Sequence, residues 1–454
     1  METGEPQVSS TSRRVWQLAW PTIISNLSFT TVGFAHIKIV SDLGTSAVAA
    51  VTSGHRIFFL IQAVLMGVSV ATTAMVARSW GAKKIAEAEL VTWTSIALGL
   101  ALGLVLSIPA IFAPEIVAKV FGLDAETTRQ TASFIFWLGV FNVFSALNML
   151  LSTALRATGD VITPLWFLTV SSLFNVVFGY CLAHGVGPLP ALGVAGVALG
   201  GSFAAAMVAS VFAMVWWRGK FKLKAIKQWR IDRQLARQLV SIGAPSVLEQ
   251  EFIQVAFLAF FAIVGQYGTS PYAAYGIGIS IVSFSIVVGF GFGIAAATLV
   301  GQQLGAGHPD QAMKAGWRGL RMALAAMTLF SVLLAIYARE LASFMIDDET
   351  TIGLTVTFIY IIAIAQPIMA VDITLSGALR GAGDTKWLMW ASIIIHWFML
   401  IVQYFVIRVW ELGPKASWVA FVIMILATAV MYVIRLAGSR WRTPEAFARV
   451  MAEQ

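Results

Sequence analysis

The sequence has few charged residues. Only 11% of its 454 residues are Asp, Glu, Lys or Arg, whereas 59% are hydrophobic, and the mean hydropathy is +0.83. A soluble domain needs roughly a quarter charged residues to hydrate its surface. The composition therefore excludes a soluble globular protein and indicates a chain that spans a membrane.

Cysteine and nucleotide-binding motifs are scarce as well. The single cysteine, Cys181, lies in an apolar stretch, so no disulfide can form within the chain. The phosphate-binding pattern G-x-x-x-x-G-K-[ST] does not occur, which argues against ATP as the source of energy. Five scattered histidines and one cysteine provide neither a metal cluster nor a nucleophile–base pair. A membrane-embedded enzyme is therefore only a remote alternative, and no cofactor is expected.

Twelve apolar stretches are long enough to cross a bilayer, which requires about 20 residues each. They are predicted to be helices, because lipid cannot satisfy backbone polar groups and no stretch alternates like a barrel strand. The predicted spans are 15–40, 46–76, 89–112, 127–151, 163–184, 194–217, 238–264, 273–300, 316–338, 351–377, 387–408 and 416–436.

The basic residues predict the orientation. The net charge of +8 arises at the ends of apolar stretches, which is typical of the positive-inside rule rather than of a nucleic-acid-binding surface. Segment 218–237 has eight Lys or Arg and one acid, whereas the connection 185–193 has no charge. The tail is basic too, with Arg435, Arg440, Arg442 and Arg449. We expect a multi-pass protein of the plasma (inner) membrane with both termini in the cytoplasm and no nucleic-acid partner.

The two halves of the chain are a repeat at a constant offset of 224 residues. The matching pairs include Pro21 with Pro245, Gly44 with Gly268, Trp93 with Trp317, and Arg156 and Asp160 with Arg380 and Asp384. Six spans per half make the repeat parallel, with an axis along the membrane normal. The predicted domains are an N-terminal bundle (1–217), a basic linker (218–237) and a C-terminal bundle with its tail (238–454). Two such bundles enclose a cleft and can rock to expose it alternately, which favours a secondary transporter.

These motifs resemble the multidrug and toxic compound extrusion (MATE) family. The resemblance covers roughly the whole chain and depends on Ala-Leu-Arg-Gly-Ala-Gly-Asp at 378–384, its copy at 154–160, and Gly-Ala at 81–82 and 305–306. It implies an all-α, V-shaped fold of twelve transmembrane helices that exports drugs or metabolites in exchange for H⁺ or Na⁺. The expected partners are a small-molecule substrate and the lipid bilayer, and we expect a monomer.

Ionisable residues inside a span are costly and are candidates for function. Glu249 and Glu251 lie in the middle of span seven, and Asp372 lies in span ten where its repeat mate is Asn148. Residues two apart on a helix point about 200° apart, so only one of the two glutamates can face a given site. The resemblance favours Glu249, because some family members have a carboxylate four residues after the span-seven proline. We expect Glu249, Asp372 and Glu251, in that order, as ion-coupling residues.

Amide side chains lie close to these acids in the sequence. Gln250, Gln254 and Gln366 are candidates to complete a cation site or to contact substrate. Carboxylate and amide oxygens suit Na⁺ as well as a proton carrier, so the coupling ion stays open.

A second group of residues is predicted to be structural. The arginines are expected to bind the last carbonyls of their helices, and the aspartates to cap the next helix. The group comprises Arg156, Asp160, Arg380, Asp384 and the span prolines Pro21 and Pro245.

The first half departs from the family pattern. The family often has aspartates at the positions that correspond here to His36 and Gly179, so its N-terminal proton site cannot be transferred. The first half instead has His36, Lys38 and Arg56 inside or near its spans. We hypothesise that His36 and Arg56 line the outer cleft and favour anionic or zwitterionic substrates. A basic cleft would also suit a flippase for a lipid-linked saccharide, which is the alternative within membrane transport.

Overall fold

The computed structural model describes residues 5–226 and 232–442, and all regular secondary structure within these residues is helical. Residues 227–231 of the predicted linker and the tail beyond residue 442, with Arg449, lie outside the described residues. The all-α, polytopic fold predicted from the sequence is confirmed, because twelve described helices are long and apolar enough to cross a membrane.

Fourteen α-helices follow one another within the described residues. They are α1 (Glu5–Val40), α2 (Thr45–Gly81), α3 (Ile85–Phe112), α4 (Pro114–Lys119), α5 (Ala125–Ala157), α6 (Ile162–His184), α7 (Val194–Trp217), α8 (Arg233–Val264), α9 (Thr269–Gly305), α10 (Pro309–Ile336), α11 (Ala338–Met345), α12 (Glu349–Ala382), α13 (Thr385–Tyr404) and α14 (Pro414–Ala437). The two short helices, α4 and α11, each follow the third span of a repeat and were not predicted. Several spanning helices also extend a turn or more beyond the apolar stretch that identifies them.

The repeat extends to the helix boundaries. Gly44 and Gly268 have φ values of 104° and 103°, and each directly precedes the second long helix of its half. A residue with a side chain is strained in this region, so glycine permits the tight connection in both halves. Asp124 and Asp348 cap α5 and α12 in the same way, because each carboxylate accepts hydrogen bonds from the hydroxyl and backbone N–H of the threonine three residues later. These bonds hold the pKa of both aspartates below the usual value.

Internal contacts divide the chain into two compact units. One unit comprises residues 24–247, and the other comprises Leu248 onward together with the described residues up to Ile23. The domain boundaries predicted from the sequence stay predictions.

Helix packing in the second unit depends on glycines. Gly377 of α12 packs against Gly293 of α9, and a Cβ at Gly381 would meet the backbone of Ala297. Small residues allow spanning helices to approach at backbone distance, where dispersion and weak hydrogen bonds are strongest. This close pair places α12 in the middle of the unit, between α9, α10 and α14.

Candidate functional site

A buried ion pair joins α8 and α12 in the second unit. The side chain of Glu249 in α8 is 1% exposed, and its Oε1 accepts a hydrogen bond from Arg380 Nη2 of α12 at 2.9 Å. The same oxygen accepts a second hydrogen bond, from Ser392 Oγ of α13 at 3.0 Å. Oε2 is buried and has no hydrogen-bond partner within the described residues. Glu249 therefore has one occupied oxygen and one free oxygen inside the membrane-spanning region.

Hydroxyl and imidazole groups extend this network. Because the hydroxyl hydrogen of Ser392 points to Glu249, Tyr432 of α14 donates its own hydroxyl hydrogen to Ser392 Oγ, at 2.7 Å. His396 Nδ1 donates to the Ser392 carbonyl at 2.7 Å. Three helices, α12, α13 and α14, thus contribute polar groups near the carboxylate of α8, which stabilises a charge that would otherwise be costly in an apolar surrounding.

Asp372 belongs to the same cluster. It is partly buried in α12, two helical turns before Arg380, and interacts electrostatically with both Arg380 and Glu249. If both carboxylates are ionised, the two carboxylates and the single guanidinium give the cluster one net negative charge. A group of this kind can bind one cation, either a proton on a carboxylate or a metal ion between carboxylate oxygens.

Glu251, two residues after Glu249, is partly buried and makes no ion pair within the described part of the chain. Only one of the two glutamates therefore enters the network, as their helical spacing requires.

The roles predicted for Arg380 and Asp384 were wrong. Arg380 pairs with Glu249 instead of binding the last carbonyls of α12. Asp384 makes no capping bond to α13, and both of its oxygens accept from Arg435 of α14, at 2.7 and 3.1 Å. Arg435 also lies 4.9 Å from the ring centroid of Trp387. These side chains join α12, α13 and α14, which no pattern within one helix could indicate.

Their mates in the first half behave differently. Asp160 accepts from the backbone N–H of Thr163 at 3.1 Å and from its hydroxyl at 2.9 Å, so it caps the first turn of α6. Arg156 makes no ion pair within residues 5–226 and 232–442. Pro21 and Pro245 lie inside α1 and α8 respectively, at matching positions.

The glutamines predicted beside the acids do not share one site. Gln366 is completely buried in α12 and accepts from Ser285 Oγ of α9 at 2.8 Å, while its Nε2 has no partner among the described residues. Gln250 and Gln254 are partly buried and make no side-chain hydrogen bond there. Their predicted role in binding cation or substrate stays a prediction.

A second polar cluster lies in the first unit. His36 of α1 is 3% exposed, and its Nε2 donates to Asn175 Oδ1 of α6 at 2.6 Å. Its Nδ1 is then the acceptor for His55 Nε2 of α2, at 3.1 Å, and the two rings stack with centroids 5.3 Å apart. The cluster therefore joins α1, α2 and α6 through neutral imidazoles.

This geometry bears on the predicted substrate contacts. Both ring nitrogens of His36 are occupied and its side chain is buried, so the cleft-lining role predicted for it is not seen here. Arg56 is exposed and makes no ion pair within the described residues, and Lys38, in the last turn of α1, is exposed as well. Arg56 remains the first-half candidate for contact with an anionic group.

The two clusters do not repeat. The positions that match His36, His55 and Asn175 in the second half are apolar, namely Phe260, Ile279 and Met399. The positions that match Glu249, Asp372 and Ser392 in the first half are uncharged, namely Ser25, Asn148 and Leu168. Each half therefore keeps the common scaffold and carries its own polar centre.

Comparison with known proteins agrees with the repeat. The family model MatE matches the chain twice, over residues 21–181 and 245–405, at the same offset of 224 residues. The chain belongs to the MatE family. Members of this family are secondary transporters and not enzymes, so the enzyme alternative is excluded and the chain is a multi-pass membrane transporter.

Curated MatE relatives are similar along most of the chain. A probable multidrug resistance protein NorM of Thermotoga maritima is 22% identical over 440 residues, which covers 96% of this chain and 94% of that protein. The multidrug resistance protein NorM of Burkholderia vietnamiensis is 28% identical over 405 residues and 86% of each chain.

Solved structures share the fold. A MOP superfamily transporter from Pyrococcus furiosus has a TM-score of 0.88 at 19% identity, with 94% of this chain and 96% of that chain covered. A crystal structure of MATE in the bent conformation has a TM-score of 0.87 at the same identity and coverage.

Several residues of the two polar clusters, around Glu249 and around His36, were not predicted from the sequence. Ser392, Tyr432, His55 and Asn175 were not predicted as site residues, because single polar residues are common in spans and often bond to their own helix. His396 and His55 are the signals that were available, since a histidine inside span eleven or span two is costly without a partner.

Proposed function

We propose that this MatE family member is a secondary active antiporter that exports small organic molecules in exchange for H⁺ or Na⁺. The observation that carries the proposal is the buried Glu249 carboxylate, with one oxygen paired to Arg380 and the other free. A cation that enters the cluster neutralises its net charge and competes with Arg380 for Glu249. Coupling requires such competition, because a ligand shifts a conformational equilibrium only if it binds the two conformations of the protein with different affinities.

The proposed class of substrate is inferred from the names of the similar proteins. Two of them are named multidrug resistance proteins, which favours drugs or related metabolites as cargo. No observation on the second unit favours a lipid-linked saccharide over such cargo. We expect the protein to act as a monomer in the plasma membrane with both termini in the cytoplasm, since the basic connections follow the positive-inside rule.

The test is transport by purified protein in sealed liposomes. A pH gradient and a Na⁺ gradient are imposed separately, and the efflux of a panel of fluorescent organic cations, zwitterions and anions is measured. We expect one gradient to drive efflux and collapse of that gradient to abolish it. The proposal is wrong if neither gradient affects any cargo, or if the same vesicles translocate a fluorescent lipid-linked saccharide without any gradient.

A further inference from the structure

A basic segment follows the sixth span and packs against the first unit. Residues 218–226, which we call the basic strap, alternate between exposed lysines and apolar residues that face the bundle. Lys220, Lys222 and Lys224 are exposed, whereas Leu223 is completely buried and Phe221 is partly buried. None of the three lysine side chains forms an ion pair within the described residues.

The strap is fixed in place by specific contacts. Gly219 has a φ of 68° and reverses the chain after α7, with its N–H bonded to the Trp216 carbonyl at 2.9 Å. The backbone N–H of Lys224 donates to Glu89 Oε1 of α3 at 2.9 Å. Phe221 packs edge-on against Phe212, with ring centroids 5.5 Å apart. The lysines are therefore held at the end of the span instead of moving with a free loop.

An apolar groove begins beside the strap. It is formed by Trp166, Val170 and Phe174 of α6 with Met207 and Val211 of α7, and it holds roughly 280 Å³. All its lining residues are hydrophobic. Of the twelve described spans, α6 has the smallest share of its apolar core buried in the protein, at 6%, so most of its surface is not covered by other described residues.

One aromatic stack connects the groove to the strap. Phe167 lines the groove and stacks on Phe212 of α7, with centroids 4.2 Å apart and an interplanar angle of 11°. It also meets Phe221 of the strap edge-on, at 6.3 Å. The apolar groove and the exposed lysines are therefore parts of one continuous surface.

In the second half, basic residues at the corresponding position form ion pairs. At the corresponding end of its last span, Arg435 pairs with Asp384 and Arg442 pairs with Asp310. Those arginines are neutralised within the protein, whereas the strap presents four positive charges, Arg218 and the three lysines, beside an apolar groove. A ligand for the strap should therefore carry both a negative group and a hydrocarbon chain.

We propose that this surface is a binding site for one anionic phospholipid of the leaflet that faces the strap. Its phosphate lies among Lys220, Lys222 and Lys224, and one acyl chain lies in the groove between α6 and α7. Lysines at a membrane surface attract anionic lipid, and each strengthens binding by about five-fold. The groove adds the apolar contact that a soluble anion cannot use, which holds the lipid at this place on the bundle.

The experiment uses the delipidated full chain in detergent and native mass spectrometry. Dioleoyl phosphatidylglycerol, dioleoyl phosphatidylcholine and inorganic phosphate are titrated separately. We expect one phosphatidylglycerol to bind at least ten-fold more tightly than phosphatidylcholine, and inorganic phosphate not to compete with it at millimolar concentration. Equal affinity for the two lipids would mean nonspecific lipid contact and would overturn the proposal, as would full competition by phosphate.

Two variants separate the headgroup from the chain. The triple variant Lys220→Ala/Lys222→Ala/Lys224→Ala should weaken phosphatidylglycerol binding at least ten-fold. The variant Val170→Trp/Val211→Trp keeps the lysines but fills the groove, and it too should weaken binding several-fold. Thermal melting in detergent verifies that each variant is folded.

The matched control removes three exposed cations near the outer ends predicted for spans three, eleven and twelve, by Lys119→Ala/Arg408→Ala/Lys415→Ala, and should bind as the wild type does. A loss of binding equal to that of the strap variant would show that only net charge matters.

As a second readout, phosphatidylglycerol with a diazirine on its acyl chain should crosslink to peptides of α6 and α7. Crosslinks spread evenly over all spans would contradict the site.

Discussion

The buried pair between Glu249 and Arg380 allows a quantitative prediction. Removing one partner of a buried ion pair costs about 3–5 kcal/mol, because the other charge is left without compensation. In Glu249→Gln the amide oxygen can still accept from Arg380 and Ser392, and each hydrogen bond kept contributes about 1 kcal/mol. Arg380 is also 20% exposed and stays near Asp372. We therefore expect Glu249→Gln to lower the free energy of unfolding by about 1–3 kcal/mol, which leaves a folded protein.

The functional effect should be much larger than the loss of stability. The amide cannot take up a proton or balance Na⁺, so gradient-driven export should be abolished in liposomes, while exchange of substrate across the same membrane without a gradient continues. The matched control is Glu251→Gln on the same helix, which removes a carboxylate that makes no ion pair in the described structure. It should retain most of the gradient-driven export.

A double-variant cycle tests the pairing itself. If Glu249 and Arg380 interact as the geometry shows, Glu249→Gln/Arg380→Gln should be more stable than the sum of the two single losses predicts, by about 0.5–3 kcal/mol. Strict additivity would show that the pair does not contribute as a unit. Normal export by Glu249→Gln, with an unchanged ion requirement, would refute the coupling role.

Three further predictions follow from orientation, packing and capping. With the native cysteine removed, a cysteine introduced at Gly187 should react with an impermeant reagent on intact cells and one at Lys222 should not; the reverse result would invert the topology. Gly381→Ala places a Cβ against the backbone of α9 and should destabilise the protein by about 1–3 kcal/mol, whereas Gly353→Ala on the same helix has open space and should be tolerated, as measured by thermal unfolding in detergent. The cap formed by Asp124, whose pKa is lowered in the folded protein, should contribute fully above an unfolded pKa of about 3.9 and be lost as the pH falls through the lower folded value. Hydrogen exchange in the first turn of α5 should therefore rise only at strongly acid pH in the wild type, and at every pH in Asp124→Ala; equal exchange in both proteins at neutral pH would contradict the cap.

The fold was predictable because its main determinants are local. Each span is identified by about 20 consecutive apolar residues, and lipid leaves helix as the structure for such a stretch. The repeat is visible in motifs such as Arg156-Asp160 and Arg380-Asp384, and the family model matches at the same offset. The short helices α4 and α11 escaped prediction because six to eight residues are too few for a periodic pattern to be recognised.

The site was predictable only in part. Glu249 and Asp372 were identified by their position, because a carboxylate in the middle of a span is costly wherever its neighbours lie. The partner of Glu249 was not predicted, because Arg380 is 131 residues away in sequence and belongs to a motif that is typical of a helix end.

The sequence by itself determined the membrane class, the twelve spans, the repeat and the family, because apolar length and repeated motifs are properties of the chain alone. The tertiary structure decided which polar residues meet. It paired Arg380 with Glu249 and Asp384 with Arg435, and it placed His36 between His55 and Asn175. A helix fixes only the direction in which each side chain points. The partners of a side chain therefore depend on which helices pack together and on their relative positions along the helix axes. Only the folded bundle settles that arrangement, because buried charges and donors are costly unless the helices that pack around them supply partners.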